Sequence, residues 1–96
     1  MINIIWSDQA KQTYFENIDY LLTEWTEKEA VKFMNDVEDN LFIIKKNPKT
    51  FAKVDYKDMR SVVITSQITL FYNILNKSTI ELVVFWNNYK EPQKIS

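Results

Sequence analysis

The strongest constraint on this chain is a series of three closely spaced segments in its C-terminal half, each rich in β-branched and aromatic residues. They run from Met59 to Thr65, from Ile68 to Leu75 and from Thr79 to Trp86. Only short polar breaks separate them. Such runs predict strands, and connections this short favour antiparallel neighbours. The sequence therefore predicts a three-stranded meander.

The N-terminal third predicts one strand followed by a helix. Met1 to Trp6 is a short β-branched run, which is typical of a strand. Ser7–Asp8 is a helix-start signal, because a side-chain oxygen there can accept a hydrogen bond from a free backbone N–H group. The apolar residues that follow recur at helical steps. They are Ala10, Tyr14, Ile18, Leu21, Leu22 and Trp25.

A second helix is predicted directly after the first. Thr26 and Glu29 have the spacing of a capping box, and Asn47–Pro48 marks the end of the helix because Pro disfavours helical geometry in the preceding residue. The apolar stripe consists of Ala30, Phe33 or Met34, Val37, Leu41 and Ile44. Two helices joined almost without a loop predict an antiparallel hairpin. Pro48 to Asp58 has no period and is predicted to be a loop.

The predicted order is βααβββ, and the predicted fold is α+β. A helical hairpin would pack on a mostly antiparallel four-stranded sheet, because helices segregated from a run of strands favour that architecture. The 96 residues suit a single domain over 1–96.

The residue types that are missing exclude several classes of site. The chain has no Gly, Cys or His, which excludes a phosphate-binding glycine loop, a disulfide framework and the commonest metal ligand. We expect no metal and no cofactor. No apolar run approaches the ~20 residues of a membrane span, and the N-terminus lacks the basic start of a signal peptide. We therefore expect a cytoplasmic protein that makes no contact with a membrane.

Charge is unevenly distributed although the chain is nearly neutral overall. Residues 7–44 carry a net charge of −6, whereas residues 45–60 carry a net charge of +4. The cations of this basic patch are Lys45, Lys46, Lys49, Lys53, Lys57 and Arg60. Such a patch can neutralise phosphates or attract an acidic protein segment. The alternative is a solvated loop, although Arg60 is the only guanidinium in the chain.

Other candidates have plainer interpretations. Trp6, Trp25 and Trp86 fall at strand and helix periods and are predicted to lie in the core, as is Tyr72 with its hydroxyl reaching a partner. Tyr89, just past the last strand, can transfer a proton or stack on a base, or it is an aromatic residue at the rim of an interface. The acidic residues of the second helix point in different directions and predict a solvated face. They are Asp36, Glu38 and Asp39.

The order of several local motifs resembles the RelE/ParE superfamily, which contains the toxins of bacterial type II toxin–antitoxin (plasmid stabilisation) modules. The matching motifs span nearly the whole chain. They are Ile4 to Ala10, Tyr20 to Leu22, Leu41 to Pro48, Met59–Arg60, Leu70 to Ile74 and the exit from Val84 to Pro92. The resemblance implies a toxin that arrests growth and is neutralised by a cognate antitoxin in a hetero-oligomer.

The chain also departs from this family. Many relatives have an Arg within the stretch that corresponds to Ile68–Phe71, and commonly an Arg or His where this chain has Asn88–Tyr89. The resemblance by itself does not choose between the branches of the family, but the missing cations favour ParE-like binding to a target, such as DNA gyrase. A ribosome-dependent mRNA endoribonuclease that uses Arg60 and Tyr89 as catalytic residues is the alternative. A non-toxic module that retains only antitoxin or nucleic-acid affinity is the third interpretation.

Overall fold

The chain forms two helices and four strands in the predicted order. The computed structural model describes residues 2–55 and 58–89. The elements are β1 (Asn3–Trp6), α1 (Asp8–Glu24), α2 (Glu27–Lys46), β2 (Met59–Thr65), β3 (Ile68–Asn76) and β4 (Thr79–Asn87). The predicted βααβββ order is confirmed.

Both helices begin at the predicted capping residues. The Ser7 hydroxyl oxygen accepts a hydrogen bond from the Ala10 N–H group at 2.9 Å. The Thr26 hydroxyl accepts one from the Glu29 N–H group at 3.2 Å. Each side chain satisfies a donor that the first turn of a helix leaves free. Only Trp25 and Thr26 separate the two helices, so the chain reverses direction without a loop.

The four strands form one sheet in the order β1-β4-β3-β2. The pairs β2–β3 and β3–β4 are antiparallel, as the meander predicts. β1 is parallel to β4, with Asn3 opposite Thr79 and Trp6 opposite Leu82. The helical hairpin covers one face of this sheet, which confirms the α+β architecture. Within residues 2–55 and 58–89, no helix or strand covers the opposite face, which we call the open face.

The predicted stripe of α2 is buried in full, whereas the stripe of α1 needs correction. Leu22 and Trp25 are 49% exposed, and Asn17 is buried in place of an apolar residue. Leu21 already points inward, and its neighbour Leu22 is rotated by about 100° around the helix. Trp25 is the residue at which the chain leaves α1, so its side chain no longer follows the helical stripe. The prediction of a core Trp25 was therefore wrong.

The other two tryptophans occupy opposite faces of the sheet. Trp6 packs against the core, and its ring lies 5.1 Å from the ring of Tyr14 and 5.5 Å from that of Phe85. Trp86 pairs with Thr69 on the open face and is only partly buried. The core prediction therefore holds for Trp6 but not for Trp86. The cause is the alternation of side chains along β4, which places Phe85 inward and Trp86 outward.

Polar side chains of α1 pair with the edge of β4 where β1 has ended. The Phe85 N–H group donates to the Thr13 hydroxyl at 2.9 Å, and the Asn17 amide donates to the Phe85 carbonyl oxygen at 3.0 Å. The Asn87 amide donates to the Asn17 side-chain oxygen at 2.9 Å. These bonds replace the ladder that a longer β1 would have supplied, and they fix α1 against β4.

Replacing Thr13 by Val tests this pairing. The change keeps the shape of the side chain but leaves the Phe85 N–H group without its acceptor, which costs about 1–3 kcal/mol for a buried group. We expect Thr13→Val to lower the free energy of unfolding in urea by about that amount. Thr23→Val, on the exposed side of the same helix, is the matched control. Equal losses in the two variants would show that the hydroxyl contributes only through helix propensity.

Candidate functional site

The basic patch lies at the end of the molecule where α2 finishes and β2 begins. Lys45 and Lys46 are in the last turn of α2, Lys49 and Lys53 follow in the loop, and Arg60 is on β2. Lys57 is outside the described residues. The two lysines of the last turn also stabilise the helix, because cations there interact favourably with its dipole.

The structure gathers part of this patch into one shallow concavity. Lys49, Lys53, Asp58, Arg60 and Ile74 line a space of about 220 Å³. We call it the basic concavity. Its three cations and one carboxylate leave a net positive charge, and the Lys53 ammonium lies 3.4 Å from the exposed Asp58 carboxylate. An exposed ion pair of this kind contributes little to stability.

Lys45 and Lys46 face other surroundings. The Lys46 ammonium lies 5.0 Å from the centre of the Phe42 ring, a cation–π contact. Lys45 lies at the rim of an apolar groove between α2 and β1 that also contains Ile4 and Trp6. The predicted patch is thus divided into a concavity with three cations and a separate pair at the end of α2.

Two side-chain hydrogen bonds anchor the loop that carries Lys49 and Lys53. The Arg60 guanidinium donates to the Phe51 carbonyl oxygen at 2.7 Å, and the Tyr72 hydroxyl donates to the Pro48 carbonyl oxygen at 2.7 Å. Arg60 and Tyr72 are opposite one another in the β2–β3 pair. Both therefore connect the same part of the sheet to the same loop.

The Tyr72 phenol lies in an environment that opposes its ionisation. Burial raises the pKa of Tyr72 above its ordinary value, and the Arg60 guanidinium and the Phe51 backbone offset that shift only in part. The hydroxyl therefore stays protonated and continues to donate to Pro48. The sequence-based prediction of a core Tyr72 with a partnered hydroxyl is confirmed.

Tyr89 lies far from Arg60. It follows β4, whose last residue Asn87 is opposite Ile68 at the start of β3, whereas Arg60 is opposite Tyr72. Four residues along a strand correspond to about 13 Å. The Tyr89 ring is exposed, and its N–H group donates to the Asn87 side chain at 2.9 Å. Arg60 and Tyr89, which the endoribonuclease alternative pairs as catalytic residues, therefore lie well apart.

The acidic residues of α2 form no cluster suited to a metal. Among residues 2–55 and 58–89, no group of three or more carboxylates is close enough to hold an ion. Asp36 instead pairs with Lys32 at 2.8 Å, one helical turn away. In the same part of the chain, no helix is long and apolar enough to cross a membrane.

An apolar groove beside β1 was not predicted from the sequence. Trp6 connects two adjoining parts of it. Its apolar lining consists of Ile4, Trp6, Tyr14, Phe15, Leu41 and Phe42. Phe15 and Phe42 are more than half exposed. Both residues stand next to a predicted apolar stripe but are not part of it. An aromatic residue at such a position was the available indication, in the sequence, of a second apolar surface on the helix.

The fold has clear counterparts among solved structures, although no family model matches the chain and no curated protein matches it in sequence. A chain from the chromosomal ParDE toxin–antitoxin system of P. aeruginosa aligns with a TM-score of 0.74 at 12% identity, covering 91% of this chain and 96% of that one. A YoeB/ParE toxin from Agrobacterium tumefaciens aligns with a TM-score of 0.65 at 12% identity, covering 90% and 98%.

A third counterpart is the YoeB–YefM complex from Staphylococcus aureus. It aligns with a TM-score of 0.62 at 19% identity, covering 90% of this chain and 95% of that one. The chain has the RelE/ParE toxin fold. The resemblance of the motifs is thus confirmed as a resemblance of fold, over nearly the full length of both partners.

The alkaline stability of the protein tests the environment of Tyr72. The folded state holds this proton more tightly than the unfolded chain, so the free energy of unfolding falls as pH rises above the ordinary phenol pKa of 10.0. We expect Tyr72→Phe to cost about 1 kcal/mol at neutral pH and to make the alkaline decline shallower.

The measurement is urea unfolding across a series of alkaline pH values. Tyr89→Phe, which changes an exposed phenol, is the control and should leave the decline as steep as in the unaltered protein. Burial also raises the pKa of Tyr14, so part of the decline should persist in both variants. An unchanged slope in Tyr72→Phe would contradict the assignment.

Proposed function

We propose that this protein is the toxin of a type II toxin–antitoxin module, which arrests growth by binding a cellular target and is neutralised by a cognate antitoxin. The observation that carries the proposal is the agreement of fold with the chain from the ParDE system, which extends over 91% of one chain and 96% of the other. The place of action would be the cytoplasm, in a bacterial cell.

Binding is favoured over hydrolysis by the arrangement of the polar groups. Cleavage of RNA by attack of a 2′-hydroxyl requires an acid and a base at one site. Arg60 holds the loop through Phe51, and Tyr89 lies near the opposite end of the sheet. The ionisable side chains of the basic concavity are lysines, Arg60 and an exposed Asp58. A ParE-like action on a protein such as DNA gyrase requires no such pair.

The antitoxin is the partner that the charge distribution favours. The helical hairpin is acidic, since residues 7–44 carry a net charge of −6, and the basic concavity lies on a different part of the molecule. An acidic segment would therefore be attracted to the end that carries the basic concavity. The YoeB–YefM complex, whose fold this chain resembles, supports a hetero-oligomer of the same kind here. Apolar contacts would then supply most of the affinity.

One observation favours the alternative of a ribosome-dependent endoribonuclease. The structure brings Lys49, Lys53 and Arg60 into one concavity, and three cations can neutralise phosphates and stabilise charge that develops during cleavage. In that case Arg60 would contribute to catalysis, and Tyr89 would need to approach from outside the concavity.

Induced expression tests the proposed function. We expect expression of this chain alone to stop growth, and co-expression of the protein encoded beside it to restore growth. Messenger RNA should remain intact while complexes of gyrase with DNA accumulate. Harmless expression of protein shown to be folded would contradict the toxin proposal, and tight partner binding without growth arrest would identify a non-toxic binding module.

Primer extension on translated messenger RNA separates binding from cleavage. Cuts in the ribosomal A site that disappear with Arg60→Ala would establish the endoribonuclease. Tyr72→Phe is the matched control, because it removes the other anchor of the loop without removing a charge. Loss of the cuts in both variants would assign the effect to the loop rather than to the guanidinium.

Association kinetics test the role of the basic concavity. We expect Lys49→Glu combined with Lys53→Glu to slow association with the antitoxin about tenfold or more at low salt and to weaken its salt dependence, while dissociation changes less. The control is Lys28→Glu combined with Lys32→Glu, which alters the net charge equally near the start of α2. Equal association rates in the two double variants would show that the concavity faces away from the partner.

A further inference from the structure

The outer edge of β1 has backbone groups that no other strand occupies. β1 is the first strand in the order β1-β4-β3-β2, so only one side of its backbone has a neighbouring strand. The Asn3 N–H group donates to the Ser78 carbonyl oxygen at 2.8 Å, on the side of β4. Because backbone groups alternate in direction along a strand, those of Ile4 and Trp6 point to the outer side. Within the described part of the chain, no backbone group bonds to them there.

The residues of β1 do not protect this edge against pairing. The stretch 2–6 contains no charged residue and no Pro, which are the usual means of discouraging strand addition. Ile4 and Trp6 pack toward the helices, so Ile5 between them lies on the open face, where 48% of it is exposed. β1 has only four residues, so a pairing partner must gain further affinity from side chains beside the strand.

The apolar groove beside β1 supplies such side chains. Phe15 and Phe42 in its lining are 62% and 61% exposed. Glu38 lines both parts of the groove, with Lys11 in one part and Lys45 in the other. The groove therefore presents charges of both signs around an apolar lining. A second copy of the same surface can meet each of these charges with an opposite one.

We infer that two copies of this chain associate through β1, which pairs antiparallel with β1 of the second copy about a two-fold axis at Ile5. Ile4 of each copy then lies opposite Trp6 of the other, and the two Ile5 side chains lie side by side on the open face. Apolar residues meet apolar residues throughout this register. Residues that are directly opposite in a sheet point to the same face, so both helical hairpins lie on one side and the two grooves adjoin.

Self-complementarity selects a second copy as the occupant. A two-fold interface requires one surface that matches itself, and the register about Ile5 together with the mixed charges of the groove meets that requirement. A nucleic acid offers no N–H and C=O ladder to β1, and its phosphates would be repelled by Glu38. An acidic polypeptide is attracted instead to the basic concavity, which includes Arg60 of β2 at the opposite edge of the sheet. The association leaves that edge free, so it does not depend on the proposed toxin role.

Disulfide cross-linking tests the pairing and its register. The chain has no Cys, so Ile5→Cys provides its single thiol. In the inferred register the two Ile5 residues form a non-hydrogen-bonded pair, whose Cα atoms are about 4.5 Å apart, within the range that a disulfide spans. We expect mild oxidation to link Ile5→Cys into covalent dimers about tenfold faster than Val63→Cys, which alters an exposed position on the opposite edge strand. Equal rates in the two variants would overturn the inference.

Sedimentation of the unlinked protein over a concentration series provides an independent measurement. We expect the unaltered chain to form dimers, and Ile5→Lys to raise the dimer dissociation constant about tenfold or more, because it places two like charges opposite each other. Val63→Lys is the matched control and should change that constant less than about twofold. A protein that is monomeric at every concentration, or that is dissociated equally by both variants, would contradict the inference. The cross-linking comparison still decides the matter if Ile5→Lys does not fold.

Amide hydrogen exchange identifies the occupant without any substitution. We expect the Trp6 amide to exchange about 100-fold more slowly at concentrations where the chain is dimeric than at high dilution, because it gains a hydrogen bond. The Ser66 amide, in the exposed turn between β2 and β3, should exchange equally fast at both. Protection of Trp6 that appears only when the product of the adjacent gene is bound would assign this edge to that partner. That result would overturn the inference and leave the proposed function standing.

Discussion

The pairing of β4 with the polar side chains of α1 is the interaction on which the rest of the structure depends. β4 pairs with β1 only as far as Leu82, and beyond it Phe85 bonds to Thr13 and Asn17 instead of to a strand. These bonds fix the position of α1 along the sheet. α2 follows α1 without a loop, so its C-terminal end, and with it the lysines, is placed at the end of the sheet where β2 begins.

That placement explains why the basic concavity forms although its residues come from three elements. The loop after α2 is anchored by Tyr72 through Pro48 and by Arg60 through Phe51. The two anchors are opposite each other on neighbouring strands. The pairing of β2 with β3 therefore holds in place the loop that lines the concavity. Arg60 serves both as an anchor and as a cation, and its only protein acceptor in the described residues is a neutral carbonyl oxygen. Its positive charge therefore stays available to a partner.

The elements and the buried stripe of α2 could be predicted because they depend on local spacing. Ser7 and Thr26 cap helices through bonds to residues three positions away, and the meander follows from short breaks between β-branched runs. The environment of Trp25 could not be predicted, since it depends on where α1 ends. Nor could the separation of Tyr89 from Arg60, because it depends on register: β4 carries Tyr89 away from the end where β2 starts. Asn17 was missed because its burial depends on a partner that is distant in the sequence, the Phe85 backbone, and no local pattern indicates that partner.

The two edges of the sheet suggest how a chain with few cations can still bind specifically. Long-range attraction requires only a charge asymmetry, which the acidic helices and the basic concavity supply. Selectivity requires short-range groups that a wrong partner leaves unsatisfied. At β4 such groups are already satisfied by α1, so that edge is closed. At β2 the loop after α2 covers the beginning of the edge, because the Ser61 N–H group donates to Ala52 and the Val54 N–H group donates to Met59. The charge asymmetry and the anchored loop therefore meet at the same end of the sheet, where long-range attraction acts on cations that are already held in place.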